Sequence, residues 1–188
     1  MLLESLSDDK VSLSAPREGD IDAITRYCRH SSIHEWTTVP NPYTRLDASH
    51  FVDVVVPSGW IARSPTWAVR LGPDSEAIGM VGLVAQDASA AEVGYWLAPE
   101  FRSRGLMAAA VNLVCDFGFR SDGRGLQRIA WHVYVGNTAS AAVARRVRFR
   151  YEGTQRRGAL QRDQRRDCWI AGLLAEDPRV PADDWPVS

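Results

Sequence analysis

The 188-residue sequence is nearly devoid of lysine: Lys10 is the single one, so nearly all of its 22 cations are arginine, balanced by 23 acids to a net charge of -1. So even a balance argues against a partner held mainly by bulk electrostatics, such as non-specific nucleic acid. Cysteine is scarce as well. Cys28, Cys115 and Cys168 are odd in number and lack CxxC spacing, which argues against a secreted disulfide framework and for reduced thiols in the cytoplasm. The four histidines, His30, His34, His50 and His132, fit no zinc-ligand spacing with them, and no metal is expected. Long apolar runs are missing: Val52 to Pro57 falls far short of the roughly 20 residues of a membrane span. Met1 to Lys10 carries acids where a signal peptide has its basic start. What remains, 45% hydrophobic and 24% charged, is globular in composition. A chain of this length buries about 70% of its unfolded surface without staples.

Apolar periodicity predicts the elements. Lys10 to Ser14 alternates as a strand, and after Asp20, taken as a cap, Ile21, Ile24 and Cys28 fall at helical spacing. Pro40 and Pro42 exclude helix from the middle of an aromatic-bearing loop joining two helices. Trp67 to Leu71, Ala77 to Gln86 and Ala91 to Leu97 read as three strands in antiparallel meander order. Leu106, Ala110, Leu113, Val114 and Phe117 mark a helix with one buried stripe. Gln127 to Val135 alternates as a strand, and Asn137 caps a helix over 138–147. Phe149 to Thr154 and Cys168 to Leu174 complete the sheet. The expected class is α+β, a mixed, mostly antiparallel sheet flanked by helices. One domain over residues 1–188 is expected, its core about 10–175 and its tail, 176–188, irregular.

The informative stretch is Glu92 to Ala110, where a strand stops at Pro99 and a basic, glycine-bearing turn opens a helix. The first four N–H groups of a helix lack internal acceptors and carry the positive end of its dipole, so Arg102, Ser103, Arg104, Gly105, Leu106 and Met107 can cradle a diphosphate. Gly105 admits close approach of a ligand, and the arginine fork suits phosphate oxygens. The same residues also read as an ordinary helix start with solvated charges.

This turn resembles the acyl-CoA pyrophosphate loop, R/Q-x-x-G-x-G/A, of the GNAT superfamily of N-acetyltransferases, with Arg102 and Gly105 at its first two fixed positions. Asn137-Thr138-Ala139-Ser140, Arg148 to Gly153, and Arg166-Asp167 before Cys168-Trp169-Ile170 are similar to further motifs of that family, in the same order. Together with WTTVPNPYT they resemble the RimJ/RimL-like branch, the ribosomal-protein N-terminal acetyltransferases. Three positions depart from the pattern: Ser103 and Arg148 stand where glycine is frequent, and Met107 where the loop wants Gly or Ala. A long side chain at 107 crowds a pyrophosphate unless it turns away.

The resemblance implies direct acetyl transfer from acetyl-CoA to an amine, without a covalent enzyme intermediate. It implies CoA contacts at Leu97, whose strand end frees N–H donors for an oxyanion, and at residues 102–107 and Asn137. Glu92 is implied as the base acting through water, and Ser140 as donor to the leaving thiolate, since Ala144 stands where most relatives carry tyrosine. Trp36 and Tyr43 are candidates for the acceptor cleft or for core anchors. Cys115 is assigned to the core, and His132, a sheet-face residue or a base, stays unassigned. Nine arginines between Arg145 and Arg166 form a solvated face, or a patch guiding an acidic acceptor or the 3'-phosphate of CoA. The acceptor is a protein N-terminus or a small amine, the acyl group acetyl or longer, and a non-catalytic acyl-CoA-binding module is the alternative. A homodimer is expected by analogy only.

Overall fold

A computed structural model describes residues 3–182 and 185–186. Its centre is an eight-stranded sheet in the order β1-β2-β3-β4-β5-β6-β8-β7. The strands are β1 (Leu6–Ser7), β2 (Ser12–Ser14), β3 (Thr66–Arg70), β4 (Gly79–Ala85), β5 (Ala90–Leu97), β6 (Arg128–Tyr134), β7 (Arg150–Gln161) and β8 (Gln164–Leu174). Every neighbouring pair is antiparallel except β5 and β6. The helices are α1 (Ile21–Cys28), α2 (Ser31–Trp36), α3 (Arg45–His50), α4 (Val56–Ile61), α5 (Leu106–Phe119) and α6 (Thr138–Val147), with a π-helical turn over Phe51–Val55 between α3 and α4.

One feature of the sheet matters for function. β4 and β5 pair from Ala85↔Ala91 to the end of β5 at Gly79↔Leu97. β5 and β6 pair only at Ala90↔Arg128, Ala91↔Ile129 and Glu92↔Ala130, so beyond Glu92 the two strands diverge into a V.

Side-chain alternation gives the two faces of this V different neighbours. Val93, Tyr95 and Leu97 join Trp131 and the residues of α5 and α6 in the larger core. Trp96 joins Met80 and Ala68 in a second core under α1 and α3. In the larger core Trp67 lies edge-on to both Trp60, at 5.0 Å, and Phe117, at 5.2 Å, an arrangement that suits aromatic quadrupoles.

Three expectations are corrected. Asp20 does not cap α1 with its side chain; it is 2% exposed and takes both Nη atoms of the buried Arg70, at 2.7 and 2.6 Å. Arg70 also donates to Ser14 Oγ and the Ser75 carbonyl, so all its nitrogens are satisfied. Helix α5 does not bury a single stripe: every residue from Leu106 to Val111 is buried, while Leu113 is only partly so. β7 and β8 run on past their apolar segments into one long hairpin. Among the described residues beyond β8, Trp185 is buried against Trp131, at 5.5 Å.

All three cysteines are buried and free, and Cys115 lies wholly in the core, where burial pushes its thiol up to about 12. Among the described residues no helix is long and apolar enough to cross a membrane, and no cluster could hold a metal.

Candidate active site

The turn before α5 is built as an anion cradle. Ser103 and Gly105 both adopt left-handed backbone, with φ of 60° and 75°, on either side of Arg104. Such alternation turns successive N–H groups toward one concavity. The amides of residues 103–108 have no acceptor among the described residues; the first helical bond is Ala109 N–H to the Gly105 carbonyl, at 3.1 Å. A Cβ added at Gly105 would meet nothing nearer than the Arg146 guanidinium, at 3.9 Å, so α6 brings one cation of the basic run to the cradle. Met107 is 5% exposed and packs in the larger core beside Leu106, which leaves its peptide group to the cradle and its bulk outside it. Arg104 lies over the Phe101 ring at 5.9 Å.

Arg102 also holds the strand that precedes the turn. Its Nε donates to the Leu97 carbonyl at 3.0 Å and so clamps the end of β5. Partial burial lowers its pKa. The Leu97 N–H keeps its expected direction. Ala98 N–H bonds the Ile78 carbonyl at 2.9 Å, and in an antiparallel ladder the next residue then points its peptide the other way, into the V. By the same alternation, the Val135 N–H to Asp167 carbonyl bond directs the peptide of His132 into the V from β6.

On the α5 and α6 face of the V, Asn137 Oδ1 caps α6 by accepting from Ser140 N–H at 3.1 Å. Ser140 Oγ donates to Tyr95 Oη at 3.0 Å, Tyr95 Oη donates to the Ser140 carbonyl at 3.0 Å, and Trp131 Nε1 donates to Tyr95 Oη at 2.9 Å. Burial pushes the Tyr95 phenol far above its ordinary value, so it stays protonated as a donor. Tyr95 and Trp131 were missed from sequence, although alternation along β5 already set Tyr95 and Glu92 on opposite faces.

On the other face, Glu92 Oε2 accepts from His132 Nδ1 at 2.8 Å, with both side chains partly exposed. The Glu92 hydrogen bond raises the His132 pKa above its usual value. Tyr134 follows on the same face, and the Arg166 guanidinium lies over both its ring, at 4.6 Å, and that of Trp36, at 5.3 Å. Trp36 therefore borders this face. Tyr43 does not: it is 6% exposed in the second core, bonded to Cys28, and anchors the loop instead. Several arginines of the basic run are also structural. Arg162 donates to the His34 and Val39 carbonyls and Arg166 to the Glu35 carbonyl, fastening the β7–β8 hairpin to the segment around Trp36.

The molecule thus offers a gap between two strands, a diphosphate cradle at one end, and different polar groups on its two sides. Residues 10–150 match the family described as Acetyltransferase (GNAT) domain. The "Putative ribosomal N-acetyltransferase YdaF" of Bacillus subtilis (strain 168) is 33% identical over 106 residues, 55% of this chain and 57% of YdaF. The chain spans less than two thirds of that relative's length. Two solved structures share the fold. RimL, the ribosomal L7/L12 alpha-N-protein acetyltransferase in complex with coenzyme A, superposes with TM-score 0.80 at 20% identity, over 91% of this chain and 98% of that one. Mycobacterium smegmatis RimJ in complex with CoA-disulfide does so with TM-score 0.79 at 24% identity, over 93% and 87%. With a family match over three quarters of its length and this architecture, the chain belongs to the GNAT acetyltransferase family.

Proposed function

We propose that the protein transfers acetyl from acetyl-CoA directly to the α-amine of a protein N-terminus, as the names of its ribosomal-protein-acetylating relatives suggest. The observation that carries this reading is the V between β5 and β6 with six unpaired amides at the mouth of α5. Acetyl-CoA supplies an acyl group on a thiolate leaving group and a diphosphate for the cradle. The residues 103–108 and Arg146 hold the diphosphate, while Asn137 Nδ2, which has no partner among the described residues, holds the pantetheine arm. The inward N–H of Leu97 stands where an oxyanion develops. Ser140, on the α5 and α6 face, serves the departing sulfur, its hydroxyl turning from Tyr95 while Tyr95 keeps Trp131. Glu92 lies on the amine side.

An α-amine, with pKa about 7.7 to 8.0, is roughly a tenth neutral at pH 7, whereas lysine, at about 10.4, is far less so, and the α-amine needs the weaker base. The amine-side floor is open. Gly94 faces Gly82 across the strands, a Cβ at Gly94 would meet nothing within 4 Å, and the neighbouring Val84 is 61% exposed. A polypeptide end can lie along such a strip.

The test is a calorimetric titration with acetyl-CoA, CoA and succinyl-CoA, for wild type and Gly105→Glu. It is joined to a mass-spectrometric screen of peptides with free α-amines against small amines. Micromolar binding lost in the variant, with peptide acetylation, is expected. Turnover of small amines alone removes the protein acceptor, and binding without any turnover leaves a non-catalytic module.

A further inference from the structure

The proton released by the amine has two candidate acceptors beside the V, and their geometry ranks them. His132 Nδ1 is committed to Glu92 Oε2 at 2.8 Å, whereas His132 Nε2 has no partner among the described residues. The imidazole stands one step past the last β5–β6 pair, on the lip of the V, on the face opposite Ser140 and Tyr95. This is the constellation of a base oriented by a carboxylate: one ring nitrogen fixed, the other presented to the reacting centre. Glu92, by contrast, spends an oxygen on the ring. We infer that His132 Nε2 takes the amine proton and that Glu92 is a positioning residue for it; this rests on the amine-acetylation reading above.

In the step, the amine lone pair forms a bond to the thioester carbon and the carbon–sulfur bond breaks with its electron pair on sulfur. The proton displaced from nitrogen passes to Nε2. A group that titrates near neutrality accepts such a proton most readily, as imidazole does and a carboxylate ordinarily does not. The charges around the ring leave Glu92 in control. Arg128 on β6 and Glu152 on β7 form a two-pronged pair, at 2.7 and 2.6 Å, and largely cancel. Tyr134 on β6 carries Arg166 over its ring, and Cys168 on β8 is held neutral by burial. The Glu92 hydrogen bond raises the His132 pKa, with burial opposing it.

The experiment is the pH dependence of kcat for wild type, His132→Gln and Glu92→Gln, with acetyl-CoA and one peptide taken from the acceptor screen. An NMR titration of the His132 ring in the free wild-type and Glu92→Gln proteins accompanies it. Activity depends on neutral His132, so kcat rises with pH through a midpoint above 6.5, the ordinary imidazole value. Glu92→Gln, which can still accept the Nδ1 proton but carries no charge, moves both the kinetic and the NMR midpoints down. His132→Gln removes that limb and lowers kcat roughly 10²-fold. Acetyl-CoA affinity stays within twofold in both, which shows that the variants fold. A His132→Gln protein that keeps the wild-type profile overturns the assignment, as does an NMR midpoint unmoved by Glu92→Gln. A wild type that binds acetyl-CoA but acetylates nothing in the screen overturns the amine reading itself, and the base with it.

Discussion

Tyr95 and Ser140 are bonded to each other twice, through phenol to carbonyl and through hydroxyl to phenol, both at 3.0 Å. Strand β5 and helix α6 are locked at the point where the V opens. Tyr95→Phe takes the phenol donor from the Ser140 carbonyl and leaves Trp131 Nε1 only its longer bond to Ser140 Oγ, at 3.3 Å, and a loss of about 1–3 kcal/mol in unfolding free energy is expected. Ser140→Ala should lower kcat on the order of 10²-fold, at little cost to the acetyl-CoA KM, because its hydroxyl is needed as the thiolate forms. Stability and kinetics of the two variants and their double show whether one network is involved. The double variant should lose less than the sum of the singles. Full kcat in Ser140→Ala would return the serine to helix capping alone.

How much of this was legible in the sequence depends on how local the cause is. Asn137 as cap, the α6 span and the three-strand meander follow from neighbours along the chain, and they stand as read. Asp20 looked like a cap because its partner, Arg70, lies 50 residues away. The hairpin ends of β7 and β8, rich in Arg and Gln, lack apolar alternation since both faces there meet solvent, and backbone pairing extends them regardless. His132 had no visible partner because the parallel register that sets Glu92 against Ala130 is not written in either strand. The motif's preference for glycine was informative even where this chain departs from it. Ser103 and Arg148 sit at φ 60° and 79°, in backbone that glycine adopts most easily.

The buried Asp20–Arg70 pair gives a stability prediction with a clear alternative. Removing one partner of such a pair strands a charge, at about 3–5 kcal/mol. Loss of a simple helix cap costs about 1 kcal/mol. Asp20→Ala should therefore lower Tm by on the order of 10 °C, since roughly 2–4 °C accompany each kcal/mol in a chain of this size. A melting curve lowered by only 2–4 °C would mean that the cap reading was right.

Gly105 and Met107 are two residues apart on the same turn yet face opposite ways. Gly105→Glu sets a carboxylate against the diphosphate and forces an L-residue to φ 75°, and CoA affinity should fall at least about 100-fold. Met107→Ala opens a hole in the core, costing about 2–5 kcal/mol, while the CoA Kd stays within a factor of two. Calorimetry on both variants decides the matter. Tighter CoA binding in Met107→Ala would show that the thioether had been crowding the cradle after all.

Trp36 and Tyr43 flank one loop and are separated by what they touch. Trp36 is half-buried under Arg166 beside Tyr134, on the amine-side face, whereas Tyr43 is enclosed with Ile21, Ile24 and Cys28. Trp36→Ala should raise the acceptor KM about tenfold, leave the acetyl-CoA KM alone and cost only about 0.5–1 kcal/mol from the lost cation–π contact. Tyr43→Phe keeps the ring and loses a hydroxyl bonded to a thiol, so kinetics should stay at wild-type values with stability lower by about 1 kcal/mol or less. Tyr43→Ala should destabilise by about 3–5 kcal/mol, as removal of a core aromatic does. If Trp36→Ala instead melts like Tyr43→Ala and leaves the acceptor KM untouched, both aromatics are anchors, and acceptor contacts must be sought on the open strip at Gly94 and Val84.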